Sequence, residues 1–403
     1  MSSRHVDENL PLLARPAGGV PEVIDTTTSL DEVAHLLASG TGPVAVDAER
    51  ASGIRYGDRA FLIQLKRTDS GIVLIDPEAL PDLRQVDAAL SGVEWILHAA
   101  TQDLPCLADR GMTPSALFDT ELAARLLGAE RFGLAALVGN ELGVRLAKEH
   151  SYVDWSKRPL PLDWLNYAAL DVEVLIELRE SLARQLRETG KDEFARQEFE
   201  HLLGFRRRVH AEPWRRISGL GTVKSRRALA RARQLWLDRD AAASSRDIAP
   251  TRLLRDRLLV ALTDPKVRTI DDIYRLPGGK ELSGRAAANV LHSLQRADAL
   301  PDSELPPRRQ PQPKTGPRAD REVAKARSEK MRAAVGAVAD ELEMPHDVLL
   351  TPRIVKSLAS ERTVGDVTDV EAYLAANSAR PWQIERTAEV LAEAAHAADN
   401  ATS

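Results

Sequence analysis

Four short apolar runs of strand character open this chain, and no such run follows residue 194. They are Pro43-Val-Ala-Val-Asp47, Ala60-Phe-Leu-Ile-Gln-Leu65, Gly71-Ile-Val-Leu-Ile-Asp76 and Val93-Glu-Trp-Ile-Leu-His98. Between and after them the apolar residues take helical spacing over 81–91, 102–110, 120–128, 133–142 and 161–188. That order limits the first half to an α/β sheet with helices on its faces. Asp119-Thr120-Glu121 before Leu122 predicts a helix start with Asp119 as its cap. The second half is all-α, with helical patterns over 194–298 and again over 320–397. Residues 1–24 read as a loose tail, 299–319 as a stiff, proline-rich basic linker, and 398–403 as a short tail.

The two helical stretches repeat each other. Asp247-Ile-Ala-Pro250-Thr-Arg-Leu253 answers Leu342-Glu-Met-Pro345-His-Asp-Val348. Likewise Arg268-Thr-Ile-Asp-Asp-Ile273 answers Arg362-Thr-Val-Gly-Asp-Val-Thr-Asp-Val370. A diverged tandem repeat is expected.

Composition narrows the chemistry. No apolar run is long enough to span a bilayer. The first residues mix Arg4, His5, Asp7 and Glu8 with leucines, unlike a secretory leader. A single cysteine, Cys106, allows no internal disulfide and points to the cytoplasm. Without ligating cysteines a structural zinc site is not expected, so oxygen atoms would hold any metal. Residues 1–200 carry 20 Lys+Arg against 33 Asp+Glu, whereas 201–300 carry 21 against 10. An acidic half joined to a basic one suits an enzyme whose cations offset an acidic site while a second region holds a polyanion.

Three acidic features stand out. Asp47 and Glu49 close the first strand and, at i and i+2, share one of its faces. Such a pair is either the polar exit of a buried strand or half of a site for a hard divalent cation. Asp103 follows another strand at a helix start, where the macrodipole alone would favour it. His98 either ends that strand or orients a substrate. Tyr167 and Asp171 stand at i and i+4, neighbours on one helix face.

The order Asp-x-Glu, then Asp, then Tyr-x-x-x-Asp resembles the DEDD exonuclease superfamily, in the branch with tyrosine in its last motif. The segment from Leu146 to Val172, with its Asp154-Trp-Ser-Lys-Arg-Pro-Leu-Pro161 loop, looks specifically like RNase D, as does Phe118-Asp-Thr-Glu-Leu-Ala-Ala-Arg-Leu-Leu127. The helical repeats resemble the HRDC module of helicases and RNase D. The resemblance implies an RNase H-like mixed sheet flanked by helices in a nuclease domain over 25–200. An HRDC domain over 201–298 and a second HRDC-like domain over 320–397 would complete the chain.

It also implies a two-metal 3′→5′ exoribonuclease using Mg²⁺ or Mn²⁺, with tRNA precursors as the expected RNA. Asp47 would bridge the ions, Glu49 and Asp171 would complete the first site, Asp103 would hold the second, and Tyr167 would aim the attacking water. Where many relatives carry an aromatic wedge after the first motif, this chain has Arg50, so Tyr56 or Arg50 would meet the terminal nucleotide. Gln64 and His98 are further candidate substrate contacts. In the basic half, Arg206, Arg207, Arg208, Arg226 and Arg227 are expected to hold RNA phosphates. Trp214, Trp236 and Trp382 are expected to be core anchors. A DNA exonuclease with the same carboxylates, and a silent RNA-binding scaffold, are the competing readings.

Overall fold

The computed structural model describes residues 9–147, 153–308 and 319–402. Residues 1–8, 148–152, 309–318 and 403, which include parts of the expected tails, the linker and the 146–172 signature segment, lie outside the described residues.

The chain divides into two compact units. The first (1–49, 60–206 and 314–403) contains strands β1 (Leu12–Leu13), β2 (Val23–Ile24), β3 (Thr41–Arg50), β4 (Ala60–Thr68), β5 (Gly71–Ile75), β6 (Glu94–Leu97), β7 (Ala116–Asp119) and β8 (Arg145–Leu146). Six of them form a sheet in the order β2-β5-β4-β3-β6-β7, and β1 pairs with β8. β4 runs antiparallel to β5, while β3–β6, β6–β7 and β2–β5 are parallel. The sheet is mixed, as expected. Residues 9–24 are not a loose tail, because β1 and β2 pair within the two sheets.

Helices α1 (Thr27–Ser39), α2 (Arg84–Ala89), α3 (Leu104–Ala108), α4 (Thr120–Leu126), α5 (Leu134–Leu142), α6 (Leu162–Glu173), α7 (Leu175–Glu188) and α8 (Asp192–Leu203) complete the α/β part. Val44, Val46 and Ala48 on β3 join Ile63 and Leu65 on β4 and Leu30 and Leu37 on α1 in the apolar core. Alternation along β3 leaves Asp47 and Glu49 on the other face. The expected helix 161–188 is two helices meeting at Val174. The Lys66 ammonium takes the Glu173 carbonyl, which removes that acceptor from a continuous helical ladder.

The same unit holds a helical bundle of α14 (Arg321–Glu341), α15 (His346–Leu349), α16 (Pro352–Ala359), α17 (Val367–Ala376) and α18 (Pro381–Thr402). Its apolar side shares one core with the α/β part. Trp382 stacks on Phe194 at 4.4 Å, and its indole N–H donates to the buried Glu198 carboxylate. Residues 398–402 continue α18 instead of forming a tail.

The second unit (50–59 and 207–313) is built on α9 (Arg226–Arg246), α10 (Pro250–Leu253), α11 (Asp256–Ala261), α12 (Ile270–Arg275) and α13 (Gly284–Asp298). Its core includes Trp214, Leu235, Leu259 and Leu294, with Trp236 packed against it. Both bundles run in the order long, short, short, short, long. In each, a buried arginine of the first helix grips an aspartate near the end of the last. Arg231 binds both oxygens of Asp298 and the Asp264 carbonyl, and Arg327 binds both oxygens of Asp399 and the Glu361 carbonyl. Asp247 and Glu343, at corresponding corners, both have φ of 49°.

Candidate active site

β3 delivers Asp47 and Glu49 on the face opposite Val46 and Ala48, and α6 delivers Asp171. One carboxylate oxygen from each lies within 4.8 Å of the other two. The i, i+4 pair on α6 is formed, with the Tyr167 hydroxyl bonded to the Asp171 carboxylate. Burial, and then the Asp47 charge, push the Asp171 carboxyl well above the usual carboxylate range, and the Tyr167 bond opposes them. Carboxylates that repel at this range fit a divalent cation: it takes oxygen ligands and its charge offsets the repulsion.

The Tyr167 ring is held by Trp155, 6.4 Å between centroids, and Trp155 is edge-on to Trp164 at 5.7 Å. Trp155 itself is buried. The loop carrying it is clamped by Arg158, whose guanidinium donates to both oxygens of Asp76 and to the carbonyls of Phe61 and Trp155. That clamp was not visible in the sequence, where Arg158 reads only as one more base in a basic loop.

Asp103 stands at the start of α3, as expected, and is 3% exposed. It does not cap the helix with its side chain. The backbone reaching it is unusual, since Ala99 adopts φ 60° and ψ 54°, a left-handed conformation rare outside glycine. His98, just before, presents Nδ1 to the Thr120 hydroxyl at 2.9 Å, with Nε2 4.0 Å from Glu121. Burial lowers its pKa to about 4. The imidazole is therefore neutral and tied to α4, which favours the strand-end reading over the substrate one.

Gln64 is fully buried on β4, so it offers no surface for direct substrate contact. By alternation it shares a face with Lys66, whose ammonium reaches Glu173 at the end of α6. Arg50 is the last residue of β3 and half-buried. Tyr56 donates its hydroxyl to Asp240 at 3.2 Å from either oxygen, and its backbone N–H points to Asp247. Asp247 also binds Arg59 through two 2.8 Å bonds. The segment 50–59 is thereby fastened along α9, which engages the Tyr56 hydroxyl and leaves its ring half-buried.

The arginine cluster divides. Arg226 donates to the carbonyls of Asp302, Leu305 and Pro306, and Arg227 to those of Ala297, Asp298 and Leu300 and to the Asp302 carboxylate. Both close the chain after α13 onto α9, which corrects their assignment to phosphate. Arg206 folds back on the carbonyls of Leu203 and Phe205, and Arg207 lies 3.8 Å from Asp58. The side chains of Arg208, Arg252, Arg257 and Arg285 are exposed and make no hydrogen bond or ion pair among the described residues. Arg252 and Arg257, with Arg255, line a cavity of about 670 Å³ beside the Pro277-Gly278 turn.

Residues 21–187 match a family model described as a 3′-5′ exonuclease, and 310–395 match one described as a 3′ to 5′ exonuclease C-terminal domain. The ribonuclease D of Jannaschia sp. (strain CCS1) is 30% identical over 302 residues, covering 71% of this chain and 77% of that protein. A Bifidobacterium adolescentis protein of known structure is 37% identical with a TM-score of 0.86, over 96% of this chain and 100% of the other. Escherichia coli RNase D, an exoribonuclease involved in structured RNA processing, is 23% identical with a TM-score of 0.68 over 94% of this chain and 98% of its own, and so shares the fold.

Proposed function

The chain belongs to the ribonuclease D family and is a 3′→5′ exoribonuclease, and we propose that it trims the 3′ ends of structured RNA, tRNA precursors foremost, to nucleoside 5′-monophosphates. The observation that supports this most is the convergence of Asp47, Glu49 and Asp171 within 4.8 Å. A silent scaffold has no use for three carboxylates held at mutually repulsive range.

Asp47 would be shared between two ions, Glu49 and Asp171 would complete one site, and Asp103 would serve the other. Divalent ions bound there, Mg²⁺ or Mn²⁺, supply Lewis acidity that activates water and offsets phosphate charge. Tyr167 is fixed at both ends, its hydroxyl by Asp171 and its ring by Trp155. It can therefore direct a water without reorganising. Phosphates upstream of the scissile bond would meet Arg208, Arg252, Arg257 and Arg285, whose guanidinium forks suit them. The bundle 207–313 is the HRDC-like module in this reading. Cytoplasmic location agrees with the lone buried Cys106.

The test is a 3′-extended tRNA precursor and matched RNA and DNA oligonucleotides, each incubated with Mn²⁺, Mg²⁺ or EDTA. Stepwise shortening of RNA with 5′-monophosphate release, faster than on DNA and stopped by EDTA, is expected. Equal or faster DNA degradation would favour the DNA exonuclease, and no release with either metal would favour the scaffold.

A further inference from the structure

Asp119 is 4% exposed and accepts four backbone N–H bonds. Two come from Glu121 and Leu122 and cap α4, which the sequence predicts. The other two come from Ala99 at 3.1 Å and Ala100 at 2.8 Å, across the neighbouring strand β6. Those donors flank the left-handed Ala99 and open the 3₁₀ turn Ala100–Gln102. The turn closes with the Asp103 N–H on the Ala100 carbonyl. The Asp103 carbonyl in turn accepts from Leu107 N–H and the Cys106 thiol. An alanine held at φ 60° relaxes to the right-handed side unless something fixes it. The Asp119 carboxylate is what fixes it.

We propose that Asp119 is a positioning residue that sets the backbone from which Asp103 would present its carboxylate to the second divalent ion. The inference rests on the reading of Asp103 as a ligand of the second divalent ion. Cap and clamp share one oxygen and differ in the other. Oδ1 takes the N–H groups of Ala99, Glu121 and Leu122, and Oδ2 alone takes that of Ala100. In Asp119→Asn the amide oxygen can keep the Oδ1 bonds, and its NH₂ then opposes the Ala100 N–H. The α4 cap and the Ala99 bond survive, while the turn leading to Asp103 loses its Ala100 bond.

Mn²⁺ binding, followed by electron paramagnetic resonance of the full chain, reads this directly, alongside 5′-mononucleotide release. Wild type is expected to bind two ions and to release mononucleotides. Asp119→Asn is expected to keep the first ion, to weaken the second by about 10–100-fold, and to lower kcat with KM for RNA unchanged. Ala99→Gly, which tolerates positive φ without a clamp, is expected to restore much of both in the Asp119→Asn background. If Asp119→Asn does not fold, Ala99→Val in the wild-type background leaves the α4 cap untouched and is expected to weaken the second ion likewise. Wild-type ion binding in Asp119→Asn, or in Ala99→Val where that variant is used, overturns the inference while leaving the family reading intact, as does a loss that Ala99→Gly fails to reverse. A wild type that binds no Mn²⁺ and releases nothing removes the reading beneath it as well.

Discussion

Asp47, at the end of a strand, and Asp171, on a helix far along the chain, present carboxylate oxygens within 4.8 Å of each other. Bringing two like charges together costs stability unless a cation or a proton intervenes. The raised pKa of Asp171 records the cost of burial first and of the Asp47 charge second.

Asp171→Asn should therefore stabilise the metal-free protein while abolishing nucleotide release. A gain of about 1 kcal/mol corresponds to a melting temperature about 2–4 °C higher in a domain of this size. Because the folded-state pKa of Asp171 is raised, its penalty is absent below the unfolded carboxylate pKa and grows as pH rises through the folded one. The advantage of the variant in EDTA should thus widen with pH, and Mn²⁺ should raise the melting temperature of wild type more than that of the variant. Equal melting temperatures in EDTA at all pH values would contradict this.

Acid should act through His98. Its folded pKa of about 4 lies below the ordinary 6.5, so between those values the unfolded chain binds a proton that the folded one does not. Stability is full above the ordinary value and falls as pH drops toward the folded one, by about 3 kcal/mol at about 1.4 kcal/mol per unit. Urea unfolding in EDTA should show that slope in wild type and its loss in His98→Gln.

Tyr167→Phe removes the hydroxyl and keeps the ring against Trp155. kcat should fall about 10²-fold with KM for RNA little changed, the signature of a misdirected water. Steady-state kinetics on a short oligonucleotide decides it, and a rise in KM alone would move Tyr167 to substrate binding.

Much of the site was legible through the family resemblance that its residue order carries, since each carboxylate taken alone also has an ordinary structural role. Asp47, Glu49 and Asp103 come after apolar runs, and Tyr167 and Asp171 share a helical turn, so their order was readable before their meeting was. β7 was missed because four residues, Ala116–Asp119, carry too little alternation to stand out beside the cap signal they end on. The roles of Arg158, Arg226 and Arg227 were hidden for a different reason. A guanidinium that closes a loop onto carbonyls and one that waits for phosphate look alike in one dimension, and only tertiary acceptors distinguish them.

That distinction has a measurable consequence. Replacing Arg252, Arg257 and Arg285 together with glutamine should weaken binding to long RNA and reduce the salt dependence of affinity by about 0.7 in log–log slope per lost phosphate contact. Arg226→Gln with Arg227→Gln should instead lower the melting temperature, because carbonyls they satisfy are left unpaired. Fluorescence anisotropy across a salt series, paired with thermal unfolding, separates the two effects, and an RNA defect confined to the Arg226/Arg227 variant would reverse the assignment.

Anomalous diffraction at the manganese edge, from crystals soaked in Mn²⁺, bears most directly on the site. Density among Asp47, Glu49 and Asp171, with a second peak toward Asp103, is the expected result. Crystals saturated with Mn²⁺ that show no peak between Asp47 and Asp171 would contradict it.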